Sequence, residues 1–301
     1  MSEWIAAGET RFFVDLHGPE RAPATLVCLP GGGMTRAYFD LGGEDAATSF
    51  AGAMAAKGWR VALVDQPGAA AGAGGFGPDA DPWEAAAAHA ALARTLAERF
   101  AAPTVGVGHS MGAASTLLAQ AAGAAHLALV LLGSGTQGLP AAQLPDEAGY
   151  NGDTAALRRD WRALAARREE AQRQWLAEKA RDRDAGYREA GLSRRQFGGD
   201  DPVARALLRQ AGRDQYQAGA LISLIAGPAA DAAEGVTVPV MLVAGADDIC
   251  LPPAETARSF TASPAVETLV LPETGHNHFV GPDPAALFAD IDGFLRRALS
   301  G

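Results

Sequence analysis

Residues 104–112 read Thr-Val-Gly-Val-Gly-His-Ser-Met-Gly, an apolar strand-like run that enters Gly-x-Ser-x-Gly and leaves into a helical pattern. A serine on so sharp a strand-to-helix turn needs neighbours without side chains, and Gly108 and Gly112 supply them. The turn exposes the Ser110 hydroxyl beside a helix N-terminus, where developing negative charge is favoured. A hydroxyl is a poor nucleophile until a base takes its proton, so a histidine and an acid must come from elsewhere in the chain. Residues 240–248 form an apolar run that ends in Gly245-Ala246-Asp247-Asp248, and residues 269–276 run Leu-Val-Leu-Pro-Glu-Thr-Gly-His. The acid, Asp247 or Asp248, and the base, His276, therefore share with Ser110 the carboxyl ends of strands, the edge at which open α/β sheets build their sites. The chain order serine, acid, histidine is the one this turn accompanies. The chemistry implied is acyl transfer to Ser110.

Each of these residues has a plainer reading. Ser110 could cap a helix between two incidental glycines, the acid pair could cap a helix beginning near Pro252, and His276 could be a loop histidine. Their coincidence at three strand ends favours the site. His278, two residues on, is a rival base. His17, His89, His109 and His126 fall in turn, helix or elbow positions and read as structural, with His109 also placed to line a pocket.

The elements that must hold these groups are legible as an alternation. Short apolar runs at Thr25–Leu29, Arg60–Asp65, Thr104–Val107 and Leu127–Leu132 alternate with helical patterns, the signature of parallel βαβ units. Asp81-Pro82-Trp83-Glu84 supplies an N-cap acid, a proline at the first helical position and a glutamate two residues on, ahead of an Ala/Leu run to about Phe100. Another helix follows Ser110 and stops at Gly123. From 136 to about 227 helical spacing (Leu157, Trp161, Leu164, Arg168, Ala171) replaces the alternation, with a further helix start at Asp201-Pro202. Strand patterns resume at Val238–Ala244 and Val266–Leu271, and Asp283-Pro284 opens a last helix to about Leu299. The expected fold is α/β: a mostly parallel, doubly wound sheet with helices on both faces. Residues 1–135 and 228–301 form its core, and residues 136–227 form a helical cap inserted after the sixth core strand.

Composition narrows the function. Of the 301 residues 48% are hydrophobic and 20% charged, the balance of a globular protein able to bury a core. The net charge of −10 argues against a nucleic-acid binder. Residues 151–215 nevertheless hold 15 of the 25 basic and 11 of the 35 acidic side chains, a local positive surplus consistent with an inserted module. Cys28 and Cys250 have no second cysteine near either and read as free thiols, and no metal-ligand spacing is present. The first 25 residues lack a basic start and an apolar stretch, and the most apolar segment, 113–133, is broken by Ser115, Thr116, Gln120, Gly123 and His126. A cytoplasmic protein without a membrane anchor is expected.

On these residues the chain resembles the α/β-hydrolase superfamily, in its serine-nucleophile branch with a helical cap. The resemblance runs nearly end to end. Its matching stretches are Leu29-Pro30-Gly31-Gly32-Gly33, Asp65-Gln66-Pro67-Gly68, Gly108-His109-Ser110-Met111-Gly112, Gly245-Ala246-Asp247-Asp248 with Pro252, and Gly275-His276. In that family the acid sits three residues after the strand-end glycine and four before a proline, which selects Asp248. Ser134, between Gly133 and Gly135, occupies the family's other site for an acid. The resemblance implies an oxyanion hole built from the amide of Met111 and that of Gly32 or Gly33, with Pro30 standing where relatives commonly have His-Gly.

The resemblance implies a serine hydrolase that cleaves a carboxylic ester or lactone through an acyl-enzyme on Ser110. No metal or cofactor is called for, because the triad chemistry is complete without one. The partner is a small-molecule ester or lactone, with neither nucleic acid nor membrane. Tyr38, Phe39, His109, Met111, Trp161, Trp175 and His278 are candidates to touch it, as are Tyr187, Phe197 and Tyr216 in the cap. Relatives use the same triad on amides, thioesters and carbon–carbon bonds, and the last group commonly carries tryptophan after the histidine, where this chain has Asn277. A non-catalytic binding protein of the same fold, and an acyltransferase or cyclase, are the remaining readings; the intact serine, histidine and acid argue against the first.

Overall fold

Five uniformly buried runs form the middle of the molecule: Thr25–Leu29 (β3), Arg60–Val64 (β4), Thr104–His109 (β5), Leu129–Leu132 (β6) and Val240–Gly245 (β7). Such runs are what strands covered on both faces require. The computed structural model describes residues 1–68, 76–77, 79–179, 201–212 and 215–300, with backbone alone at 175–179. With Ser2–Ala7 (β1), Thr10–His17 (β2) and Val266–Leu271 (β8) the runs complete an eight-stranded sheet in the order β1-β2-β4-β3-β5-β6-β7-β8. β2 is antiparallel to β1 and β4, and every other pairing is parallel. The sequence pattern anticipates the six strands from β3 to β8 but not the hairpin before them.

Side-chain alternation sorts the core into two layers. Leu26, Cys28, Val105, Val107, Val130 and Val243 face the helices Phe50–Ala56 (α1) and Pro284–Ser300 (α9). On the opposite face Leu129, Leu131 and Leu242 pack against Met111–Ala121 (α3) and Pro228–Glu234 (α7). Val27 and Leu29 meet Pro82–Phe100 (α2) there. The capping signals operate as read: Asp81 accepts from the amides of Trp83 and Glu84 at 2.8 and 3.3 Å, and Asp201 does the same for Val203 and Ala204 at 3.1 Å.

Register brings the strand ends into line. Leu29 pairs with Gly108, His109 with Leu132, Leu132 with Val243, and Gly245 with Leu271. The strands thus end at one level, and the loops after them converge on one sheet edge.

Between β6 and α7 the longer elements among the described residues are helices: Thr154–Lys179 (α4), Pro202–Ala211 (α5) and Gln217–Leu224 (α6), with short 3-10 turns at Pro140–Ala142 and Ala148–Tyr150 and an isolated bridge from Gly212 to Met34. Leu157, Trp161 and Leu164 of α4 bury themselves against Tyr216, Leu221 and Ile225. A 2.5 Å ion pair from Arg168 to the buried Glu147 ties α4 to the turn before it. Among the described residues no helix is long and apolar enough to cross a membrane.

Candidate active site

Ser110 is the residue between β5 and α3, with φ 54° and ψ −122°. A non-glycine residue in so sparsely populated a region costs about 1–3 kcal/mol and survives only where its surroundings enforce it. The surroundings are two bare glycines. A Cβ on Gly108 would stand 2.5 Å from Ala113 Cα, and one on Gly112 would stand 2.0 Å from the Leu29 carbonyl oxygen. Strand, turn and helix close on each other only because nothing projects at these two positions.

The loops after β7 and β8 meet the turn. Ala246 donates its amide to Leu271 O at 2.8 Å and Asp247 donates to Thr274 O at 3.0 Å, so the two loops are stitched together. His276 lies between its partners: Nε2 is 2.9 Å from Ser110 Oγ and Nδ1 is 2.8 Å from Asp248 Oδ1. An ionised carboxylate only accepts, which places the histidine proton on Nδ1 and leaves the Nε2 lone pair for the serine hydroxyl. Asp248, rather than Asp247, is the acid in this chain of bonds. Neither acid caps the helix Pro253–Thr256 (α8), whose N-cap is Pro252.

Asp248 is surrounded by donors. Its Oδ1 also accepts the Cys250 amide at 3.1 Å, while Oδ2 accepts His278 Nε2 at 3.0 Å and the Gly245 amide at 3.4 Å. Desolvation works to raise its pKa, but the hydrogen bonds from His276 and His278 outweigh it and hold the carboxyl well below the usual carboxylate range. Gly133, at φ 57°, makes room for both rings: a Cβ there would stand 3.0 Å from His276 Nδ1 and from His278 Cε1.

Gly31-Gly32-Gly33 turn across the mouth of the site after β3. Met34 donates to Gly31 O at 3.2 Å, and the Gly31 Cα lies so close that a side chain would meet Ser110 Cβ at 3.1 Å. Two groups anchor this loop. Arg36 pairs with Asp15 and the buried Asp65, and its amide donates to Asp65 Oδ1 at 2.7 Å. Gln66, also buried, donates from Nε2 to Pro30 O at 3.2 Å and meets Ser115 Oγ of α3 at 3.2 Å. The Met111 amide, at the first position of α3, has no intrahelical partner and opens beside Ser110.

The other expected contact residues divide. Tyr38 and Phe39 are fully buried in an aromatic cluster with Phe50 and Phe279. His109 lies under the site, stacked on Tyr38 at 4.4 Å, with Nε2 donating to His276 O at 2.8 Å. Burial drives its pKa well down, so it stays neutral. His278 is buried on the other side of the acid, with Nε2 3.0 Å from Asp248 Oδ2. Met111, the residue after Ser110, packs in one cluster with Trp161 and Tyr216, and Tyr216 donates to Ala80 O at 2.7 Å. A cavity of about 490 Å³ opens beside them, lined by Trp161, Arg162, Gln172, Gln215 and Gln217 among others. Gln215 also reaches back to the loop, 3.2 Å from where a Gly32 side chain would begin. Trp175 beyond its backbone, Tyr187 and Phe197 lie outside the described residues.

Asp248, Cys250 and His276 offer ligand atoms within 4.8 Å of one another, the one cluster of metal-ligand type among the described residues. The donors do not suit a cation. Burial, then the Asp248 charge, push the Cys250 thiol pKa well up, and the thiol donates to Gly133 O at 3.0 Å, while His276 Nδ1 is committed to Asp248.

The sequence model of the α/β-hydrolase family matches residues 26–291. The chain belongs to the α/β-hydrolase family. Solved α/β-hydrolase-like neighbours include a thermophilic esterase from Thermogutta terrifontis, with a TM-score of 0.66 at 16% identity over 99% of each chain. A proline iminopeptidase from Mycobacterium smegmatis superposes with a TM-score of 0.61 at 21% identity, over 100% of this chain and 99% of the other. An esterase from Exiguobacterium antarcticum gives 0.62 at 17% identity over 100% of both. No curated protein matches the sequence. At such identities the likeness establishes the α/β-hydrolase fold and nothing finer.

Proposed function

We propose that this α/β-hydrolase is a serine hydrolase acting on a carboxylic ester or lactone. The observation that carries the reading is the unbroken run of hydrogen bonds Ser110 Oγ to His276 Nε2, 2.9 Å, and His276 Nδ1 to Asp248 Oδ1, 2.8 Å. His276 takes the hydroxyl proton as Ser110 attacks the substrate carbonyl, Asp248 stabilises the imidazolium, and the proton passes on to the leaving alcohol. Water, activated by the same histidine, then releases the acid from Ser110. The Met111 amide and that of Gly32 or Gly33 receive the oxyanion, and one such donor is worth roughly 3–4 kcal/mol of barrier. The described helices within 136–227 act as a cap over this site, with the cavity beside Trp161 and Gln215 taking a part of the substrate remote from the reacting carbonyl.

The test is turnover of a panel of p-nitrophenyl esters and lactones, with aminoacyl anilides and thioesters alongside, by the wild type and Ser110→Ala. Serine-dependent ester or lactone hydrolysis is expected, with the chain-length profile sizing the pocket. Turnover confined to the anilides or thioesters would move the protein to another hydrolase class. A folded enzyme that a fluorophosphonate cannot label at Ser110 would overturn the nucleophile assignment.

A further inference from the structure

We infer that His278 is a positioning residue that locks the carboxylate of Asp248, so that the acid is held by two histidines of which only one reaches the serine. The inference rests on the triad reading of the site. His278 is 1% exposed, and its Nε2 lies 3.0 Å from Asp248 Oδ2, the oxygen His276 does not use. Burial drives its pKa down despite the neighbouring carboxylate, so the ring is neutral. A neutral imidazole beside an accept-only carboxylate carries its proton on Nε2. Its Nδ1 is then a bare acceptor, and among the described residues that atom has no hydrogen-bond partner.

That arrangement is costly as packing alone. An unpartnered buried acceptor costs about 1–3 kcal/mol, which an apolar side chain of similar size would avoid. The ring has one nitrogen satisfied, and that nitrogen faces the acid. Without it, Oδ2 would keep, among the described residues, only the long 3.4 Å contact from the Gly245 amide, and the carboxylate could rotate away from His276. With it, each oxygen has an imidazole donor and a backbone donor, so the plane of the carboxylate and hence the direction of the His276 ring are fixed. Gly133 is the enabling position, since any side chain there would strike both rings. The arrangement parallels metal-site histidines oriented by a second layer of hydrogen bonds, whose loss typically costs about 10–100-fold.

Four variants of the full chain separate this role from bulk: His278→Gln, His278→Asn, His278→Leu and, as the reference, Ser110→Ala. Glutamine carries its amide nitrogen near the position of Nε2, whereas asparagine carries it near Nδ1. The readouts are the second-order rate of labelling by a fluorophosphonate, and the low-field proton signal of the His276–Asp248 hydrogen bond. His278→Gln is expected to label within about threefold of wild type and keep the signal, while His278→Leu and His278→Asn label at least about tenfold more slowly and lose it. Wild-type labelling with the signal in place in His278→Leu would sink the inference. Should the leucine variant not fold, equal rates for the Gln and Asn variants would sink it instead. Labelling of Ser110→Ala would remove the underlying triad reading by a separate observation.

Discussion

The carbonyl oxygen of Leu29 lies 2.0 Å from the point at which a side chain on Gly112 would begin, and that of Pro30 lies 2.5 Å away. The loop that carries Gly32 and Gly33 therefore leaves β3 directly over the first turn of α3, which sets the spacing between the two proposed oxyanion amides.

Gly112→Ala is expected to force the two apart, with an overpacking cost of about 1–3 kcal/mol or more and a parallel fall in fluorophosphonate labelling. Gly52→Ala is the control. A Cβ there would meet the Glu44 carbonyl oxygen just as closely, so it should lower the melting temperature and leave the labelling rate of the folded fraction alone. Equal labelling rates for the two folded variants would show that the loop does not depend on this contact.

Asp248 and Asp247 are adjacent in sequence, and it is Asp248 whose Oδ1 accepts from His276 Nδ1 at 2.8 Å. Asp248→Asn keeps the shape and removes the charge that selects the histidine tautomer, so turnover should fall by about 10⁴-fold. Asp247→Asn should stay within about tenfold of wild type, the margin left for a loop residue outside the proton path. Comparable losses in both variants would reassign the acid.

Gln66 joins the two halves of the proposed oxyanion hole from beneath, touching Pro30 O and Ser115 Oγ. Gln66→Leu leaves Pro30 O without this donor and lets the glycine loop shift relative to α3. Interactions realised in the transition state should suffer most, so kcat is expected to drop while KM changes little. A rise in KM at unchanged kcat would mean that Gln66 shapes the pocket instead.

How much of the site is readable in the sequence depends on whether the signal is local. The elbow, the acid loop and the histidine loop each combine an apolar run with a glycine and a polar residue, so Ser110, the pair Asp247 and Asp248, and His276 can be placed without their distances, while the choice of Asp248 within the pair comes from the family resemblance. The β1–β2 hairpin escapes the pattern although Phe12, Val14 and Leu16 alternate, because Glu3, Arg11 and Asp15 break up the continuous apolar runs by which the doubly covered strands are recognised. Tyr38 and Phe39 resemble pocket aromatics by type, yet their partner Phe279 comes from a segment far along the chain. The role of His278 is non-local in the same way: it exists only once β7 and β8 bring residues 248 and 278 to one edge.

Stability should depend on pH through two buried histidines away from the site. Burial lowers His89 in α2 and His126 before β6 from 6.5 to about 4. As pH falls below 6.5 the unfolded chain takes up protons at both residues while the folded chain does not, until about pH 4. Stability is then complete above that window and is lost as pH falls through it, by an amount on the order of 3 kcal/mol for each histidine. His126 Nδ1 lies 2.9 Å from Thr104 Oγ1, so His126→Asn retains a polar atom for the threonine and removes the titration. Denaturant unfolding at pH 7.5, 5.5 and 4.5 should show the variant losing less stability than wild type across the series, with the gap opening below pH 6.5. Parallel curves would mean that His126 already takes up its proton in the folded state, and that its burial does not govern the acid sensitivity of the fold.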